Sequence, residues 1–194
     1  MPRPKDRPSP LPWIAAVAAI VALAGAAFGP AYMAAVATLD AMQRADAKAL
    51  ENNIDFVALR TDVSDELKAM FDAEMRKQGL DETAVGVARN FVAAPINAIV
   101  DRIATPDGMA ALLTPPSGED RKLLTTPQLL SATLTNGQLT SLSQLEVAIP
   151  YGKKPRAELV RLKFKRNGLT DWRMVGVHYP ASALAGAAGL PATP

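Results

Sequence analysis

The hydrophobic and polar positions along the chain form three successive patterns. The first is an uncharged stretch over residues 8–39 that includes the apolar run 11–28. In residues 31–113 apolar positions recur every three or four residues and predict helices. After a Pro/Ser/Gly break at residues 114–118 the period changes to two and predicts strands. The chain therefore predicts an α+β fold, in which an N-terminal transmembrane helix precedes a helical half packed on a C-terminal antiparallel meander of three to four strands.

Acidic residues mark the predicted helix starts. Asp46, Asp55 and Asp81 each precede an apolar-periodic segment and are predicted N-caps, because their carboxylates can accept hydrogen bonds from the unpaired N–H groups of the first turn. Pro106 follows Thr105 in the pattern of a cap and a first-turn proline, which predicts a short helix up to residue 113. Pro95 lies inside a periodic segment and predicts a kink or a fresh helix start.

Period-two segments predict the strands. They are the alternating residues Leu145, Val147 and Ile149, the alternating residues Val160, Leu162 and Phe164, and the segment 171–179. Residues 130–134 predict a weaker strand. For the last hairpin, a three-residue loop over residues 166–168 places Leu162 opposite Trp172 and keeps one face apolar, which a two-residue turn does not.

The apolar run has the length of a membrane span, since about 20 helical residues cross the hydrocarbon core. Trp13 and Tyr32 lie where interfacial aromatic residues are found. Two interpretations remain open: an uncleaved signal-anchor, or a signal peptide cleaved at the small residues 24–26. The length of the run favours the anchor. The basic residues Arg3, Lys5 and Arg7 precede it, and this bias predicts a cytoplasmic N-terminus with the body outside.

The net charge belongs to the leader. The chain carries +2 with a pI near 9.0, yet beyond the first seven residues acidic and basic residues are equal in number. This distribution is typical of membrane targeting, and with 5% aromatic residues it disfavours nucleic acid as a partner. We predict a basic cytoplasmic leader (1–10), a transmembrane signal-anchor (11–30), a single extracytoplasmic α+β domain (31–180) and a flexible Ala/Gly/Pro tail (181–194). The predicted location is the inner membrane, in a single pass, with a periplasmic or extracellular body.

The chain lacks the residues that several kinds of functional site require. The absence of Cys excludes disulfides, thiolate zinc sites and iron–sulfur clusters, and neither a phosphate-binding glycine loop nor a Gly-x-Ser-x-Gly motif occurs. No cofactor, metal or catalytic residue is therefore predicted. The acidic residues Asp55, Asp62, Asp65 and Glu66 are expected to project mainly into solvent rather than to converge on a metal. His178 is expected on the inner sheet face, without a partner in hydrogen-bond reach.

The C-terminal half carries a basic strip. Arg161, Lys163 and Lys165 alternate along one predicted strand and share its face. One interpretation is a solvated face whose lysines prevent edge-to-edge pairing. The other is a binding platform for anionic lipid headgroups, a polyanionic envelope polymer or an acidic partner.

Several segments resemble a known family. Tyr32, residues 46–50, residues 55–60, residues 105–109 and residues 164–172 are similar to the pattern of an uncharacterised bacterial family, number 2939 among the domains of unknown function. The resemblance covers most of residues 12–180 and implies an N-terminal span, but no activity. Val57 stands where this family pattern has Pro. At the level of fold, the order of elements resembles the nuclear-transport-factor-2-like α+β superfamily, which includes enzymes and binding domains.

These observations predict a membrane-tethered extracytoplasmic binding or assembly module of the bacterial envelope, with no specific activity derivable. Its partners are membrane lipid, through residues 11–30, and an envelope protein or anionic lipid. Candidate ligand-binding residues between helices and sheet, which as a set also suit a plain core, are Phe71, Phe91, Leu162, Trp172 and Met174. The alternative is a small hydrolase or isomerase that uses a pocket carboxylate with a raised pKa; a buried acid, or His178 at a cavity mouth, would favour it.

Overall fold

The computed structural model describes residues 11–112, 124–151, 158–168 and 170–178. Within these ranges six helices precede four strands, which confirms the predicted α+β fold. The elements are α1 (Leu11–Arg44), α2 (Ala47–Asn53), α3 (Phe56–Lys77), α4 (Glu82–Ile103), α5 (Pro106–Leu112), α6 (Thr126–Asn136), β1 (Gly137–Ser141), β2 (Gln144–Tyr151), β3 (Glu158–Asn167) and β4 (Asp171–His178). The predicted leader (1–10) and tail (181–194) lie outside the described residues.

The predicted helix starts are confirmed. The carboxylates of Asp46, Asp55 and Asp81 accept hydrogen bonds of 2.8–3.1 Å from N–H groups in the first turns of α2, α3 and α4. The predicted fresh start at Pro95 is wrong, since α4 continues through this residue. Pro95 is exposed, so its missing N–H lies on the solvent side, and the buried Ile96 and Val100 keep the following turn packed against the body.

The first helix has two different halves. α1 is one helix of 34 residues. In its second half, Val36, Leu39 and Met42 are buried in the core. In its first half, the side chains described between residues 18 and 27 are exposed, and Leu23 is 70% exposed. The same helix is therefore a core element in its second half, whereas the side chains described between residues 18 and 27 are uncovered.

Helix α4 packs on α3 through one face. An ion pair joins the two helices: Arg89 donates from Nε and Nη2 to the Asp72 carboxylate at 2.8 and 2.5 Å. This hydrogen bond lowers the pKa of the buried Asp72 below its ordinary value of 3.8. By length and composition, α4 is the helix among the described residues that is apolar enough to cross a membrane, and most of its apolar window is not buried. Core helices of soluble proteins and signal sequences pass the same test of length and composition.

The four strands form an antiparallel meander in the order β1-β2-β3-β4. Val147 pairs with Leu162 and Leu145 with Phe164, so the predicted alternation in β2 and β3 is confirmed. These buried residues form the core face of the sheet, and α1 packs against it. We call the opposite face, which bears Lys163 and Lys165, the outer face.

The predicted strand at residues 130–134 is wrong, because this segment lies in α6. Thr125 and Gln128 form a capping box, and a proline occupies the first turn of this helix. Leu129 and Thr133, four residues apart, are both buried. The buried positions of this segment therefore have the spacing of a helix. A short strand, β1, follows α6 directly.

The last hairpin has a different register from the one predicted. Leu162 pairs with Val177 and not with Trp172, and Phe164 pairs with Met174. Between these two pairs β4 contains an extra residue, Val175, which forms a β-bulge. Because a bulge shifts the alternation by one, Met174 and Val177 are both buried while His178 moves to the outer face.

The free edge of β4 is covered by the chain that enters α3. Ile54 bridges to Met174 in parallel, and the Asp55 N–H donates to the Met174 carbonyl at 2.9 Å. Helix α3 then runs along β4. This cover satisfies part of a strand edge that would otherwise be open to pairing, and it brings α3 side chains onto the outer face.

Candidate functional site

Two neighbouring rows of side chains cross the outer face. In the first, Glu146 pairs with Lys163 and Lys163 with Gly176; we call this the Lys163 row. In the second, Gln144 pairs with Lys165 and Lys165 with Arg173; we call this the Lys165 row. The two lysines lie two residues apart on β3 and so point to the same face.

The Lys163 row is closed by α3. The Lys163 ammonium lies 2.9 and 3.1 Å from the two Asp62 carboxylate oxygens and 3.7 Å from Glu66 Oε2. Asp62 Oδ2 also accepts a hydrogen bond of 3.2 Å from the Val177 N–H. Gly176 makes this approach possible, because a Cβ at that position would overlap the Asp62 carboxylate.

Glu66 and His178 complete this cluster. Glu66 Oε1 lies 2.5 Å from His178 Nδ1, and the Glu66 side chain is 13% exposed against 51% for His178. The expectation that Asp62 and Glu66 project into solvent is wrong, because α3 turns both toward the sheet. The expectation of an inner-face His178 without a partner is also wrong, because the bulge at Val175 moves it to the outer face.

One sequence signal for this cluster existed. Asp62 and Glu66 are four residues apart and adjoin the buried stripe of Leu59 and Val63 on the same helix. Acidic residues beside a buried stripe indicate a basic partner on the element packed there. Among the described residues, no group of three or more His, Asp and Glu side chains is arranged to hold a metal ion.

A groove of about 640 Å³ lies between the first half of α3 and the outer face. Side chains from both rows and from α3 line it; among them are Asp55, Thr61, Asp62, Asp65, Gln144, Glu146, Lys163, Lys165, Asn167 and Arg173. The groove therefore carries acidic residues on the helix and both basic residues and Glu146 on the strands, and the core residues Leu145 and Phe164 also contribute to its lining.

The acidic residues on the helix side already have partners. Asp55 caps α3, Asp62 binds Lys163, and Asp65 lies 3.8 Å from Lys68. On the strand side the balance differs: the described part of the chain places no carboxylate within ion-pair distance of Lys165, and Arg173 lies 3.3 Å from the exposed Asp171. The positive charges of the Lys165 row are therefore less fully compensated by carboxylates than the charge of Lys163.

The five predicted ligand-binding residues do not form one site. Leu162, Trp172 and Met174 are at most 4% exposed and belong to the core cluster. Phe71 is half-buried on α3, outside the groove lining. Phe91 is 79% exposed on α4, so its expected position between helices and sheet is wrong: the buried face of α4 is formed by other residues.

The predicted basic strip is divided by its surroundings. Lys163 is held by Asp62, whereas Arg161 and Lys165 are exposed. Arg161 pairs with His178 in the strand register and does not line the groove. Of the three strip residues, Lys165 therefore combines exposure with a position in the groove.

The family comparison agrees with the sequence resemblance. Residues 20–112 match the family described as "Protein of unknown function (DUF2939)", a range that begins inside α1 and ends with α5. The helix side of the groove lies within this range, and the strands lie beyond it. No curated protein and no solved structure matches the chain. The likeness to the nuclear-transport-factor-2-like superfamily stays a prediction.

Proposed function

We propose that this protein, whose residues 20–112 match the DUF2939 family, is a membrane-tethered extracytoplasmic binding module of the bacterial envelope. Residues 11–30 are the tether and the folded body is the module. The body faces away from the cytoplasm, and its partner is an envelope protein or an anionic lipid.

The uncovered half of α1 carries this proposal. The run 11–28 has no charged residue, and the side chains described between residues 18 and 27 are exposed although the helix continues directly into the core. Each exposed apolar side chain costs free energy in water, at roughly 25 cal/mol per Å². Twenty helical residues are about 30 Å long, which matches the hydrocarbon thickness of a bilayer. Lipid is therefore the surrounding that suits this segment.

The groove supports the binding role. It is a depression beside the outer face, lined by charged and polar residues from both α3 and the sheet. The charged side chains in its lining suit a ligand that carries polar or charged groups.

The tether is tested by placing a charge in the uncovered half of α1. Leu23→Arg is expected to release a large share of the protein from the membrane fraction, because a charge at the centre of a span costs about 2.5–3.5 kcal/mol. Leu142→Arg is the matched control, since Leu142 is 73% exposed in the turn between β1 and β2. Membrane retention that is equal in both variants would contradict the tether.

The orientation is tested with reporters fused after residue 194. An alkaline phosphatase fusion is expected to be active, because this enzyme folds outside the cytoplasm, and a green fluorescent protein fusion is expected to be dark. The reverse result would place the body in the cytoplasm and contradict the proposal.

A second candidate function is a small hydrolase or isomerase, and one observation favours it. The Glu66 carboxylate is nearly buried and contacts His178 Nδ1, an arrangement that orients an imidazole for proton transfer. A panel of chromogenic esters, phosphoesters and glycosides tests it. Turnover that Glu66→Gln and His178→Asn both abolish would support an enzyme; turnover that neither variant changes, or none, would contradict it.

A further inference from the structure

We propose that the Lys165 row is a phosphate-binding site: Lys165 and Arg173 bind the oxygens of a phosphate group that enters the groove. This inference rests on the proposed binding function and names the chemistry of its ligand. The phosphate group can belong to a lipid headgroup or to a soluble phosphoester, because both present the same oxygens.

Two like charges lie opposite each other in the Lys165 row. Lys165 and Arg173 are register partners on adjacent antiparallel strands, so their Cβ atoms lie about 4.5–5.5 Å apart on one face. Like charges in this position repel each other and destabilise the sheet. An anion between them removes that repulsion, and this gain adds to the direct attraction.

The Lys163 row differs from the Lys165 row in how its charge is compensated. There the lysine receives both Asp62 oxygens and lies near Glu66, so its charge is compensated within the fold. In the Lys165 row, the described residues supply no ion pair for Lys165, and the Arg173–Asp171 pair is an exposed one of 3.3 Å. Exposed pairs of this kind contribute about 0–1 kcal/mol and are readily exchanged for a better ligand.

Neutral hydrogen-bond donors lie near the two cations. Gln144 pairs with Lys165 on the side away from Arg173, and Asn167 follows two residues later on β3; both line the groove. Amide N–H groups, an ammonium and a guanidinium fork together supply many donors. A phosphate has more acceptor oxygens and more negative charge than a carboxylate, so it uses this donor set more fully.

The test is a titration of the full-length protein in a nonionic detergent with glycerol 3-phosphate, followed by calorimetry. Lys165→Ser and Arg173→Ser are each expected to weaken binding about tenfold or more, because each removes a charge-assisted hydrogen bond. The matched control is Arg161→Ser, an exposed cation on the same face that does not line the groove, and it is expected to change the dissociation constant less than about twofold.

Two further arms identify the source and the chemistry of the ligand. In nanodiscs that contain phosphatidylglycerol, weaker binding of glycerol 3-phosphate than in neutral nanodiscs indicates that the headgroup occupies the site; equal binding indicates a soluble phosphoester. Either result supports the proposal. Acetate that binds as tightly as glycerol 3-phosphate, or phosphate binding that is unchanged in Lys165→Ser, would overturn it. Fractionation of the Leu23→Arg protein reports on the tether alone, so the two proposals fail independently.

Discussion

The Lys163 row and the Lys165 row lie side by side on one sheet face, yet they have different surroundings. Helix α3 passes over the first, where Asp62 and Glu66 reach Lys163. The second remains open in the groove, with two cations opposite each other. A basic strip that is uniform in the sequence can therefore contain one lysine that the fold holds and another that is available for binding. The position at which a helix crosses the sheet decides which is which.

The largest expected effect comes from breaking the Lys163 row. Lys163→Met is expected to lower the free energy of unfolding by about 2–3 kcal/mol, because it removes the cation that binds Asp62 and lies near Glu66. This is less than for a fully buried pair, since Lys163 and Asp62 are 32% and 28% exposed. Chemical denaturation followed by Trp172 fluorescence measures it.

The matched variant is Lys165→Met, one row away on the same strand. It is expected to change the unfolding free energy by no more than about 0.5 kcal/mol, because no described carboxylate pairs with this lysine. Equal losses in the two variants would show that the rows are not different.

A smaller effect is expected from closing the space above Gly176. Gly176→Ala places a methyl group against the Asp62 carboxylate, which Lys163 and the Val177 N–H hold in place. We expect a loss of about 1–2 kcal/mol from overpacking, measured by the same denaturation. Gly86→Ala is the control: its Cβ would meet no atom within 4 Å, and alanine favours the helix. A Gly176→Ala protein as stable as the wild type would contradict the close approach of α3.

Asp72 and Arg89 form a further ion pair, and its contribution to the free energy of unfolding depends on pH in a known direction. The hydrogen bond from Arg89 lowers the pKa of Asp72, so the stabilisation is complete above the ordinary pKa of 3.8 and is lost as pH falls through the lower value of the folded state. Asp72→Asn is therefore expected to be less stable than the wild type from pH 7 down to about 4, by less than Lys163→Met, and to approach it at lower pH.

Denaturation curves at successive pH values measure this difference. Asp65→Asn is the control, because Asp65 is 70% exposed and 3.8 Å from Lys68; it is expected to follow the wild type at every pH. A difference between the wild type and Asp72→Asn that grows as pH falls below 4 would contradict the assignment.

Local signals in the sequence predicted the local structure. The caps at Asp46, Asp55 and Asp81 and the alternation in β2 and β3 depend on residues within one turn or one strand. The segment 130–134 failed because a few apolar residues fit both periods, and the capping box that begins at Thr125 decides for helix.

Local sequence signals could not predict the site, for two physical reasons. The bulge at Val175 reverses the alternation after it, so His178 changes face, although nothing in the Asp171–His178 segment forbids regular alternation. The Asp62–Lys163 pair joins residues 101 positions apart, and their contact follows from the way α3 packs along β4. The sequence did show the basic strip and an acidic helix, but it did not show where the helix lies relative to the strip.

The most direct test is denaturation of the wild type and of Lys165→Ser, each with and without glycerol 3-phosphate. Without ligand, Lys165→Ser is expected to be as stable as the wild type or slightly more stable, because the substitution removes the repulsion from Arg173. With ligand at 100 times the wild-type dissociation constant, the wild type is expected to gain about 2.7 kcal/mol and Lys165→Ser, which binds about tenfold more weakly, about 1.4 kcal/mol or less. A Lys165→Ser protein that is clearly less stable without ligand, or one that gains as much as the wild type with it, would contradict the division of the outer face into a structural row and a binding row.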